Sequence, residues 1–318
     1  MPRRGLLKSI GATWALSEAC VHMAISLLSQ GRWAEVEAPL AEGEALAFRI
    51  GHVWSQVPLL ISRAWLGLAR PDAVDEFERC ADQLARLTQG SDFGLSFARS
   101  RAWLGLAAWW RGRLEEAPAH FEAGLRAQLP AIFTSEAWSA ALLFRARTGD
   151  VSGAEALLAE RPEFLRLPDN GATWPIAAWD RISATAEALV VLGRFDEAAR
   201  FHPTLAAYCG RGAVLRWLDG RFHQTVLAMT AAAAGRWDEA EDLFTAALAL
   251  AERLPHTIEQ ADTRRDWATA LVRRNAAGDR ARALELLAEA AEHYRGLGMP
   301  SHDAAARAQI AGLAKDLL

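Results

Sequence analysis

Apolar residues recur along this chain at helical spacing, in pairs of short segments separated by a single glycine. In the stretch 221–250, Leu227, Ala228 and Ala231 form one stripe, and Ala240, Phe244, Ala247 and Leu250 form a second. A stripe at i, i+3 and i+4 buries one face of a helix, so the pattern predicts a helix from about Arg221 to Ala234 and another from about Asp238. Gly235 between them can take the left-handed conformation that ends the first helix. Asp238 and Glu239 suit the positive end of the second. Small residues at Ala228, Ala240 and Ala247 permit close approach, while Trp237 and Phe244 fill the space between the pair.

The same punctuation recurs at Gly31, Gly112, Gly149, Gly193, Gly235 and Gly278, followed by related runs such as Gly193-Arg194-Phe195-Asp196-Glu197-Ala198 and Gly235-Arg236-Trp237-Asp238-Glu239-Ala240. The 81 residues between Gly31 and Gly112 accommodate one more copy, with Leu68 in the glycine slot, and the spacings become 37, 44, 37, 44, 42 and 43. A period near 40 is the mark of stacked helical hairpins. The expectation is therefore an all-α, right-handed solenoid of about seven hairpins spanning 1–318 as one superhelical domain, with repeats beginning near 14, 54, 98, 135, 179, 221 and 264 and a cap over about 301–318. Three departures stand out. Pro203 should kink or end its helix, Gly210 and Gly212 follow it, and 161–175 reads as a loop, either decoration or a lid.

Composition narrows the function classes. The chain has 318 residues, 35 basic against 39 acidic and a net charge of −4, so no general field attracts nucleic acid. Three separated cysteines, Cys20, Cys80 and Cys209, suggest neither a disulfide framework nor a metal cage, and fit a reducing cytoplasm. No apolar run is long enough to span a membrane, and Arg3, Arg4 and Lys8 precede a segment that Glu18 and His22 interrupt, against a signal peptide. The chain matches neither a Walker phosphate loop nor a Rossmann glycine triplet nor a nucleophile elbow, and the eight histidines never fall three to five apart. No cofactor and no metal site is expected. The arginines of the last repeat, Arg264, Arg265, Arg273, Arg274, Arg280 and Arg282, read as solvated or inter-repeat partners of Asp262, Asp266 and Asp279.

Glycine, an aromatic two residues on, then alanine, aromatic and alanine, at Gly235, Trp237, Ala240, Phe244 and Ala247, resembles the tetratricopeptide repeat. The last copy, from Ala283 to Met299, is similar to the degenerate, roughly 40-residue repeats of bacterial signalling ATPases, maltose-activator-type regulators and multidomain nucleotidyl cyclases. The resemblance implies a concave face lined by the first helix of each repeat. Carried across by each glycine, its register nominates Trp65, Arg99, Trp109, Glu136, Asp180, Ser183, Glu187, Phe222 and Met229 as a polar and aromatic binding site. A non-catalytic scaffold or sensor for a protein, a peptide or a small polar ligand is the first expectation. The second is a ligand-binding or enzymatic solenoid in which the 161–175 loop closes over Asp180 and Glu187. Thirteen tryptophans favour wedges between repeats, with Trp33, Trp138, Trp217, Trp237 and Trp267 read that way and Trp65, Trp109 and Trp110 placed near the groove.

Overall fold

Helix α4, Ala73–Thr88, shows how the pattern becomes structure: Val74, Phe77, Ala81 and Leu84 are buried on one stripe, and Asp75, Arg79 and Asp82 are exposed on the other. The computed structural model describes residues 12–89, 94–126, 131–167 and 176–315. Within them the helices pair as the period requires. Repeat one is α1 (Thr13–Ser29) with α2 (Glu37–Arg49), and repeat two is α3 (Val53–Gly67) with α4. Repeats three and four are α5 (Gly94–Trp110) with α6 (Ala117–Leu125), and α7 (Ala131–Thr148) with α8 (Val151–Glu160). In repeat five, α9 (Ile176–Val191) is followed by two short helices, α10 (Phe195–Ala199) and α11 (His202–Cys209). Repeats six and seven are α12 (His223–Ala233) with α13 (Trp237–Arg253), and α14 (Thr257–Arg274) with α15 (Asp279–Gly296), after which α16 (Pro300–Lys315) caps the array. The described residues contain no strand, only one isolated antiparallel bridge between Leu215 and Phe222.

All six glycines of the repeat have positive φ, from +69° at Gly31 to +87° at Gly278. Leu68, in the seventh slot, stays right-handed at φ −63° and is fully buried. Pro203 lies in the first turn of α11, so the second helix of repeat five breaks before it. The array curls until distant repeats meet. Leu254, between repeats six and seven, packs against Gly31, and Trp33 lies 5.7 Å from His256. At the other end Trp109 of α5 meets His302 of α16 at 5.0 Å. The concave side is thereby enclosed.

The described part of the 161–175 loop is a 3₁₀ turn, Pro162–Leu165, whose Phe164 is buried edge-on to Trp138 at 4.9 Å and accepts a hydrogen bond from Arg181 at its carbonyl. That part is anchored between repeats four and five, and 168–175 lies outside the described residues, as do Arg3, Arg4, Lys8, Leu317 and Leu318. Helix packing inside repeat three depends on an absent side chain: a Cβ on Gly105 of α5 would stand 2.3 Å from the Phe121 ring of α6. Gly149, at φ +83°, has open space around it. Gly149→Ala is expected to cost only about 1 to 2 kcal/mol of backbone strain, whereas Gly105→Ala must push two helices apart and should lower the thermal midpoint by clearly more. Equal midpoints for the two variants would contradict this packing.

Candidate functional site

The irregular segment between α11 and α12 folds into a tight turn and fills the hollow of the superhelix. Asp219-Gly220 between Leu215 and Phe222 is a hairpin signal, and Arg216 N donates to Arg221 O at 2.7 Å, Gly220 N to Arg216 O at 2.9 Å and His223 N to Val214 O at 3.0 Å. Gly220 (φ +75°) is required twice over, since a Cβ there would lie 2.3 Å from Leu68 Cδ1 and 3.3 Å from the Trp65 ring. We call residues 214–223 the inner turn. Its contacts reach across the array. Trp103 Nε1 donates to Leu218 O at 2.8 Å, Trp217 N donates to Asp180 Oδ1 at 2.9 Å, and His256 Nε2 donates to Gly220 O at 3.0 Å.

Its two arginines carry the turn's charge into the interior. Arg216 is 1% exposed; it donates to both oxygens of Asp219 at 2.8 and 2.6 Å, and its Nη1 lies 2.9 Å from Glu187. Arg221, 3% exposed, is 3.0 Å from Asp262 and 3.7 Å from Glu259, and donates to Asp266. Two further guanidiniums complete the cluster. Arg147 bridges Glu187 at 2.7 Å and Asp266 at 2.7 Å, and Arg265 pairs with Asp262 at 2.8 Å and donates to Tyr294 Oη at 2.9 Å.

Burial alone would raise the carboxylates' pKa, and neighbouring charges decide which are raised. At Glu187, Arg221, Arg216 and Arg147 outweigh burial and hold the pKa at about 2. Asp266 is likewise held low, by Arg147, Arg265 and Arg221. At Glu259 burial outweighs Arg221, and the pKa is pushed up to about 7. Burial also drives Asp180 well above the usual carboxylate range, helped by the charge of Glu136, and lowers His256 to about 4 and His302 to about 3.

The structure brings the nominated residues together on the inner face but encloses most of them. Arg99 donates to Glu136 at 2.7 Å, and Glu136, Asp180, Ser183 and Glu187 are all under 5% exposed. Trp65, expected beside the groove, is fully buried 5.0 Å from Trp103 and 6.0 Å from Phe77, because the array curves around it. Phe222, which the pattern placed inside a helix starting at about Arg221, lies in the inner turn one residue before α12 and packs edge-on to His256. Met229 is buried with its sulfur 3.8 Å from Arg221 Nη2. Trp217, read as a wedge between repeats, belongs to the inner turn instead, and Trp110 packs at 4.5 Å on Phe77. Glu187 lines a small inner cavity, and Trp109 lines that cavity and a larger space at the rim. There Trp109 forms part of a cleft of about 260 Å³ with Leu114, Arg147, Thr148, Val191, Arg265 and, from α16, Ser301, His302, Ala305 and Gln309. Beneath that cleft, between it and the inner turn, a cavity of about 30 Å³ is lined by Leu143, Arg216, Arg221 and Glu259 among others.

The fold defines an all-α protein of stacked helical hairpins. No protein-family model and no curated protein sequence matches the chain. Among solved structures, one similar chain is that of the crystal structure of a Rap protein complexed with Competence and Sporulation Factor, with a TM-score of 0.46 and 11% identity over 95% of this chain and 98% of that one.

The raised pKa of Glu259 has a definite sign in stability. Between pH 4.5, the carboxyl's ordinary value, and about pH 7, the folded chain keeps a proton that the unfolded chain releases, so stability falls as pH rises through that window, by about 3 kcal/mol in total. Glu259→Gln keeps an acceptor for Thr225 and Thr263 but removes the titration. Urea unfolding at pH 5, 6 and 7 should therefore show a stability slope in this window less negative in the variant than in the parent. Parallel slopes would show that Glu259 titrates normally in the fold.

Proposed function

We propose that the protein is a non-catalytic binding scaffold, a sensor or interaction module in bacterial signalling or regulation, and that it receives a short peptide or small polar ligand in the cleft between α16 and repeats three to five. The observation that carries this reading is where open space remains on the inner side. The inner turn occupies the centre, and the 260 Å³ cleft is left at the rim, where Trp109, Arg147, Thr148, Arg265, Ser301, His302 and Gln309 converge.

The cleft's chemistry suits binding. The Trp109 ring supplies an apolar face, Gln309, Ser301 and Thr148 supply neutral hydrogen bonds, and Arg147 and Arg265 are held in place by acids behind them. Its volume lies just below the roughly 300 to 1,000 Å³ of drug-sized pockets, which favours a ligand of one or two residues' bulk. The enzymatic reading has less support. Glu187 is clamped by three guanidiniums, and Asp180 is buried with its charge suppressed, so neither is presented to a substrate as a base.

Thermal-shift screening against short peptides and polar metabolites tests the proposal. A true ligand at about 100 times its dissociation constant adds roughly 2.7 kcal/mol to stability. Trp109→Ala and Gln309→Ala, each folded by circular dichroism, are expected to abolish the shift. A shift that survives both substitutions would move the site elsewhere.

A further inference from the structure

We infer that the hollow of the superhelix is a receptor for an arginine-bearing turn of a polypeptide, and that the chain's own inner turn occupies it in cis as an exchangeable ligand. The turn has the character of a bound peptide. It lies outside the helical repeat, makes its own hydrogen bonds across the turn, and pairs Arg216 with its own Asp219. The wall supplies what such a peptide needs. Glu187, Asp262 and Asp266 receive the guanidiniums, Asp180 receives a backbone N–H, Trp103 and His256 donate to backbone carbonyls, and Leu68 with Trp65 leaves room only for glycine. The recognised pattern is two arginines five residues apart with glycine just before the second.

The fit is incomplete where a permanent core would be closed. Trp65 Nε1, Ser139 Oγ, Ser183 Oγ and Asp180 Oδ2 are buried on this inner face and meet no hydrogen-bonding group among the described residues with the turn in place. Native interiors leave few such groups, because each gives up its hydration without a replacing hydrogen bond. The 30 Å³ cavity lies between the turn's two arginines and the wall at Trp109, Leu143 and His302. On the entry side the turn hangs from Gly210-Arg211-Gly212, an exposed neck in which Gly212 has φ +86° and open space around it. The walls thus carry recognition groups beyond those the resident turn uses, and the turn has a hinge on one side.

Hydrogen exchange on the intact chain tests this inference, with the synthetic peptide Leu-Arg-Trp-Leu-Asp-Gly-Arg-Phe as the probe. The amides of Arg216, Gly220 and His223 should exchange at least tenfold faster than those in the middle of α14. Millimolar peptide should accelerate them a further several-fold, while the same peptide with glutamine for both arginines should not. In Arg221→Gln, where the cis competitor is weakened, the peptide should bind at least tenfold more tightly than in the parent. Turn amides as slow as those of α14, or indifferent to the peptide in the parent chain, would overturn the inference, and that measurement decides even if the variant fails to fold. Gln309→Ala, which lines the cleft but not the cavity against the turn, should leave turn exchange unchanged, and this separates the result from the fate of the cleft.

Discussion

The structure turns on the desolvation of two guanidiniums at its centre. Taking Arg216 and Arg221 out of water is affordable only where every charge finds a partner at bonding distance, because the effective penalty is several kcal/mol per ion and a lost partner leaves a buried charge uncompensated. Their partners come from repeats five and seven and from the turn itself, and Arg147 of repeat four ties Glu187 to Asp266 behind them. Four separate stretches of chain must therefore be in register before the cluster is neutral. That requirement acts against alternative curvatures of the array, which a stack held by nearest-neighbour packing alone would tolerate.

Curvature follows from this constraint. A solenoid repeat touches only its neighbours in principle, yet here Trp103 of repeat three donates to Leu218, and Leu68 of repeat two packs on Gly220, while the same turn is bound by repeats five and seven. The inner turn is the hub that makes distant repeats neighbours. Contacts of repeat one with Leu254 and His256, and of α5 with α16, are the rim of the same closure.

The periodic part of this architecture was legible in the sequence because glycine is the residue for which left-handed φ is cheap, and all six repeat glycines take it. The break at Pro203 was legible for the same kind of local reason. The inward register was legible too, and it does bring Arg99 to Glu136 and Asp180 and Glu187 to one wall. What the period could not convey is that the hollow is occupied. Periodicity describes the helices and is silent on the interruption, so the short stretch between Gly212 and the helix expected from about Arg221 carries no periodic signal of its own. The signal was present in Asp219-Gly220 between Leu215 and Phe222, and in two arginines flanking it, but its meaning depends on acids more than 25 residues away on both sides. Likewise Trp65 was placed by register on the correct face, and became core because the array curls far enough to bring Gly220 onto it.

The cleft and the hollow are separated by one layer of side chains, since Trp109, Arg147, Arg265 and His302 line both the rim cleft and the small cavity beneath. A ligand that moves these shared side chains in one would change the other, and such a linkage is reciprocal. Its sign follows from the charges. An anionic group in the cleft that draws Arg147 outward leaves Glu187 and Asp266 less neutralised, so their attraction for Arg216 and Arg221 rises and the inner turn is held more firmly. A cationic group that takes Asp262 from Arg265 acts oppositely, because Asp262 is also the acid that Arg221 approaches at 3.0 Å. Shared ion pairs thus make the charge of whatever enters the rim the quantity that sets how readily the turn can leave.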